Sequence, residues 1–155
     1  MKGVRKVLIL RGLQGSGKST FAKQWVNEDP EHRVRFNRDD IRNMLGKYWV
    51  PSRESLINTI QNDFLSSALY QGYDIVIDNM NLNEKCIKEI KTFVQGWNNV
   101  SDSHVYDIEI KDFFDVPLEV CIERDSKREN PIGERVIRST YNKYRDNIAQ
   151  WKPSN

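Results

Sequence analysis

Gly12-Leu13-Gln14-Gly15-Ser16-Gly17-Lys18-Ser19 satisfies the spacing G-x-x-x-x-G-K-[ST], which cradles phosphate. The glycines let the backbone curl so that successive amides point at phosphate oxygens, and a following helix adds the positive end of its dipole. Lys18 is a mobile cation for β- and γ-phosphates. Ser19 offers a hydroxyl to a Mg²⁺ ion that offsets charge as a terminal phosphoryl group leaves. The expected nucleotide contacts are Gly12, Gln14, Gly15, Ser16, Gly17, Lys18, Ser19 and Thr20, holding ATP or another nucleoside triphosphate. The alternative, a glycine-rich turn with no ligand, is disfavoured by the strand before the loop and the helix after it.

Three later segments can converge on that loop. Asn37-Arg38-Asp39-Asp40-Ile41-Arg42 places a carboxylate and a guanidinium within a turn and a half. Asp39 can accept the proton of an attacking hydroxyl, and Arg42, three residues on, shares its side of a helix. Capping that helix is the ordinary use of such an acid. Asp78-Asn79-Met80-Asn81-Leu82-Asn83 puts an acid after an apolar strand, the Walker B pattern, able to hold a metal-bound water or orient an arginine; Asn81 or Asn83 can instead cap the next helix. In Arg124-Asp125-Ser126-Lys127-Arg128, Arg124 and Arg128 stand four apart, so on a helix both reach one face and can clamp a phosphoryl group. A solvated charged face is the alternative. Lys47-Tyr48-Trp49 offers a stacking surface to a terminal base, or simply local packing.

Elements to position these residues are legible from periodicity. Val7–Leu10 and Ile75–Ile77 are continuous apolar runs, expected as central strands covered on both faces. Val34–Phe36 predicts a short peripheral strand, and the alternation of Tyr106, Ile108 and Ile110 with charged residues predicts the other edge. Helices are expected over Ser16 to about Asn27, from Asp39 through Leu45, from beyond Pro51 to Gly72, and from Asn81-Leu82-Asn83 through Trp97. Two more are expected over Leu118–Lys127 and Glu134 to about Ala149. Strands alternating with helices imply an α/β fold, a parallel sheet wrapped on both faces.

Composition narrows the class. The 155 residues suit one domain over 1–155, and 24 basic against 22 acidic residues leave a net charge of +2, so any polyanion contact must be local. No apolar run approaches the roughly 20 residues of a membrane span, and residues 1–6 lead into no secretory stretch, so a cytoplasmic location is expected. Cys86 and Cys121 lack C-x-x-C spacing and are expected to be buried or inert; with His32 and His104 standing apart, neither a disulfide nor a zinc site is suggested.

Around the phosphate loop, N-R-D-D-x-R at 37–42, D-x-M-N-L at 78–82 and R-x-S-K-R at 124–128 appear in order. In these motifs, and over about Val4 to Tyr144, the chain resembles the kinase domain of the phage-type polynucleotide 5′-kinases. The resemblance implies a P-loop kinase fold with a four-stranded parallel sheet in the order 2-3-1-4 and a lid around 124–135. It also implies ATP-dependent phosphorylation of the 5′-hydroxyl end of RNA or DNA in nucleic-acid repair, in a bacterial or phage-infected cytoplasm. Asp39 then becomes the general base, Arg42 a contact to the acceptor or reacting phosphate, and Arg124 and Arg128 the lid arginines. Lys18, Asp39, Arg42 and Arg128 form the expected catalytic set, Ser19 and Asp78 the metal set, and Asp39, Arg42, Asp78, Asn81 and Trp49 the acceptor side. Met80 replaces the family's usual Thr, and some members carry the acid one position later, where this chain has Asn79. No D-x-D-G-T phosphatase motif follows before Asn155, so removal of a 3′-phosphate is not expected. The rival readings are a P-loop kinase for a nucleoside or other metabolite hydroxyl, and a nucleotide switch. Against the switch, Asp78-Asn79-Met80-Asn81 is not D-x-x-G, and Asn142-Lys143-Tyr144-Arg145 lacks the acid of N-K-x-D.

Overall fold

The apolar run Val7–Leu10 forms the buried part of β1 (Gly3–Arg11) in the computed structural model, which describes residues 3–148. With β2 (Arg33–Phe36), β3 (Asp74–Ile77) and β4 (His104–Asp112) it builds a wholly parallel sheet in the order β2-β3-β1-β4, the order expected. β1 and β3 are central, and period-two alternation sends their side chains to two separate cores. Leu8, Leu10 and Val76 pack with Ala22 of α1 (Lys18–Glu28). Val7, Ile9, Ile75 and Ile77 face Leu65 and Leu69 of α3 (Glu54–Gln71) and Ile87, Ile90 and Val94 of α4 (Glu84–Val100). A third cluster joins Leu13 to Leu118 and Cys121 of α5 (Leu118–Ser126) and Ile137 and Tyr141 of α6 (Glu134–Tyr144). The short α2 (Arg38–Met44) follows β2 directly.

Several boundaries shift for local reasons. α1 starts at Lys18 rather than Ser16, because Gly17 takes a left-handed φ of 101° that no helix accommodates. α4 starts at Glu84, since Asn81 sits at a φ of 49° and Asn83, not Asn81, caps the helix by accepting from the Lys85 amide at 2.9 Å. The last helix ends at Tyr144 and tightens into a 3-10 turn over Arg145–Asn147, where Ile148 enters the third core cluster; Ala149, its expected end, lies outside the described residues. Among the described residues no helix is long and apolar enough to cross a membrane.

Gly15 is the position where the fold demands glycine most firmly. Its φ is 79°, and a Cβ there would run into the carbonyl of Cys121 on α5, with the Cys121 Cα 3.1 Å away. The phosphate loop is therefore packed directly on the helix that carries Arg124. Gly15→Ala should cost about 3 kcal/mol from the left-handed backbone and the overlap together, read as a lower urea midpoint.

Candidate active site

The loop between β1 and α1 is anchored at both ends. The Gly12 amide donates to the Met80 carbonyl at 3.1 Å, and the Ser16 amide to the Leu13 carbonyl at 3.2 Å. Arg11, almost buried, donates to the carbonyls of Asn81 (2.8 Å) and Leu82 (3.2 Å), and the Asn81 amide donates to the Leu10 carbonyl at 2.7 Å. Asn81 thus lines the cleft, but its side-chain amide joins the ends of β1 and β3. Lys18 is buried, its ammonium donating to the Leu13 carbonyl at 2.7 Å, and burial lowers its pKa to about 8.

Asp78, at the end of β3, is fully buried. Its Oδ2 accepts from the Ser19 hydroxyl at 2.8 Å and from the Arg35 Nε at 2.7 Å, while Oδ1 is buried with no hydrogen-bond partner among the described residues. Arg35 also reaches Asp40 at 2.6 Å. The sequence reading passed over Arg35. Its signal is a charged residue opposite Val76 in the β2–β3 register, on the face that alternation also gives Asp78, and it becomes readable only once those strands are neighbours.

Asn37, not an aspartate, caps α2, accepting from the Asp40 amide at 2.8 Å, which leaves Asp39 free of that duty in the first turn. Asp39 Oδ1 accepts from Arg42 at 2.6 Å and from the Tyr48 hydroxyl at 2.8 Å. Arg42 also makes a two-pronged pair with Glu54 at 3.1 and 2.6 Å. The hydrogen bond from Arg42 pulls Glu54 below its usual carboxylate range, and the bond to Glu54 lifts Arg42 above the usual guanidinium range. Burial, then the nearby Asp39 charge, push Tyr48 up to about 12, so it stays a donor. The Arg42 guanidinium lies 6.0 Å from the Tyr48 ring centre and 5.8 Å from that of Trp49. Trp49 is exposed and does not line the cleft, which separates it from the other expected acceptor residues.

α5 ends at Ser126, one residue before the expected Lys127, and Arg128 lies beyond it as expected, in a turn where its amide donates to the Asp125 carbonyl at 3.0 Å. Buried Asp125, unremarked in the sequence, accepts from the amides of Ile132 (3.0 Å) and Gly133 (2.9 Å) and so closes the 127–133 loop. Arg124 reaches the Gly15 carbonyl at 3.4 Å, and Arg128 is half exposed, 3.9 Å from Asp125. Two clefts meet here. One of about 600 Å³ is lined by Gly15, Gly17, Thr20, Gln24 and Arg124; the other, of about 720 Å³, by Gln14, Asp39, Arg42, Asp78 and the inner sides of α3 and α4. Lys18, Ser19 and Arg128 border both. Around the larger cleft Lys18, Arg38, Arg42, Lys85 and Arg128 outnumber Asp39, Asp78 and Glu89, a local positive balance on a nearly neutral chain. Of the two cysteines expected to be buried or inert, Cys121 is buried, whereas Cys86 is exposed in the first turn of α4 beside this cleft.

A 2-3-1-4 parallel sheet with a glycine loop leading from its first strand into α1 defines a P-loop domain of the kinase fold. The chain belongs to the AAA domain family, whose model matches residues 7–150. It is 28% identical over 158 residues to a putative bifunctional polynucleotide kinase/RNA ligase of Autographa californica nuclear polyhedrosis virus, covering 90% of this chain and 21% of that protein. It is 25% identical to the L-seryl-tRNA(Sec) kinase of Methanococcus maripaludis, covering 89% and 52%. Among solved structures it resembles a chain of the Pnkp1/Rnl/Hen1 complex with a TM-score of 0.68 at 28% identity, covering 80% of this chain and 40% of that one. The chain thus spans about a fifth and about half of the two curated relatives.

Removing the Arg35 side chain would leave Asp78 a buried charge with one neutral donor. Arg35→Ala should cost about 3 kcal/mol in urea unfolding, and adding Asp78→Asn should restore part of it. For Lys18, phosphate charge raises the pKa from about 8, so a proton is taken up on binding at pH values above 8. Triphosphate affinity should fall as pH climbs from 8, and calorimetry at pH 8.5 in buffers of different ionisation enthalpy should show proton uptake that Lys18→Met abolishes.

Proposed function

We propose that this chain is an ATP-dependent kinase for the 5′-hydroxyl ends of RNA or DNA. The observation that carries this reading is the junction of the two clefts at Lys18, Ser19 and Arg128, with Asp39 lining the larger of them and absent from the smaller. The 28% identity to a polynucleotide kinase/RNA ligase and to a chain of the Pnkp1/Rnl/Hen1 complex supports it, as does the cationic balance of the larger cleft.

The triphosphate lies along residues 12–19, with Lys18 exchanging the Leu13 carbonyl for phosphate oxygens, and Arg124 and Arg128 over its tail. The buried, unpartnered Asp78 Oδ1 beside the Ser19 hydroxyl fits a hard divalent cation with oxygen ligands; Mg²⁺ bound there would neutralise phosphate charge. Arg42 and Tyr48 hold Asp39 through Oδ1, leaving Oδ2 for the 5′-hydroxyl. Asp39 takes the hydroxyl proton as that oxygen bonds the γ-phosphorus in line, the bond to the bridging oxygen breaks, and the nucleoside diphosphate departs. Glu54 keeps Arg42 against Asp39, so Arg42 acts by positioning the base as well as by countering phosphate charge.

The test is transfer of labelled γ-phosphate to 5′-hydroxyl RNA, 5′-hydroxyl DNA, a nucleoside 3′-monophosphate and free nucleosides. Label on the oligonucleotides is expected; label only on free metabolites would replace this reading with a small-molecule kinase, and hydrolysis without transfer with a switch. Asp39→Ala should lower kcat by about 10²–10⁴ while leaving ATP affinity within threefold, and near-normal turnover would remove Asp39 as the base.

A further inference from the structure

The larger cleft is longer than the transfer step needs. From Asp39 and Lys18 it continues between α3 and α4, past Arg38, to a wall formed by Asn58, Gln61 and Asn62 of α3. Those three amides stand at i, i+3 and i+4, so one helix face presents all of them, beside the stripe through which Ile57 and Leu65 enter the core. Gln61 Oε1 accepts from Arg38 at 3.2 Å, which fixes it, whereas Asn58 and Asn62 are exposed and have no hydrogen-bond partner among the described residues.

We infer that this arm is a base-reading subsite: Asn58 and Asn62 hydrogen-bond the edge of the nucleobase attached to the reacting 5′-hydroxyl nucleoside. The inference rests on the polynucleotide-kinase reading and deepens it. Neutral amides add no charge against a phosphate, but each offers a donor and an acceptor side by side, the pattern that unstacked base edges present. The backbone is served separately, by the Arg38 and Lys85 cations on the same cleft. At about 720 Å³ the cavity has the size of sites that enclose a whole small molecule, well beyond a bare alcohol.

The experiment uses the full chain and four 5′-hydroxyl oligoribonucleotides that differ only in the terminal base, with a fifth that is abasic there. The expected result is a spread of about fivefold or more in kcat/KM among the four bases, with the abasic end weakest, collapsing to within twofold in the Asn58→Ala/Asn62→Ala double variant. Both side chains are exposed, so the variant should melt as the parent does, and its KM for ATP serves as the control on the donor side. A parent that ignores the terminal base, or a spread that survives in the double variant, overturns the subsite while the kinase reading stands. No transfer to any oligonucleotide removes both.

Discussion

A fully buried carboxylate must be matched by donors or it unfolds the site around it, and Asp78 meets that demand in a way that ties the molecule together. Its side chain binds Ser19 on the phosphate loop and Arg35 on β2; its carbonyl accepts from the Asn37 side chain at 2.6 Å, and its amide donates to the Phe36 carbonyl at 2.9 Å. The start of α1, the end of β2 and the cap of α2 are therefore held to one point. Since α1 opens the donor cleft and α2 carries Asp39, the distance between donor and acceptor is set by this one buried charge and its partners.

Asp39 is built on opposite terms. It lies in the first turn of a seven-residue helix and lines the cleft, its side chain 44% exposed, with Oδ1 fastened by Arg42 and Tyr48. Asp78 is a fixed anchor and Asp39 an accessible group, a division that burial alone creates between two acids of the same type. The four-membered set Arg38, Arg42, Asp39 and Glu54 balances in charge beside the cleft.

Arg124 and Arg128 follow a third logic. Gly15 packs directly on the Cys121 carbonyl of α5, whereas Arg128, past the end of α5, has a distant ion pair on a loop closed by two hydrogen bonds to Asp125. One arginine thus stands on the helix packed against the phosphate loop, and the other on the turn that follows that helix.

Much of this was legible in the residues. The phosphate loop, the central strands, the sheet class and the segments holding Asp39, Asp78, Arg124 and Arg128 all follow from short-range spacing and apolar periodicity, which one stretch of chain carries alone. The exposure of Cys86 and the displacement of Trp49 from the cleft were not, since each depends on how neighbouring elements pack. Arg35 and Asp78 are 43 residues apart, and Arg42 and Glu54 sit on different helices; only the alignment of β2 with β3 and of α2 with α3 makes them pairs. Local sequence determined which groups are available for phosphate chemistry. Tertiary structure decided which of them are anchored and which are free to react, because burial and partner choice are properties of the assembled neighbours.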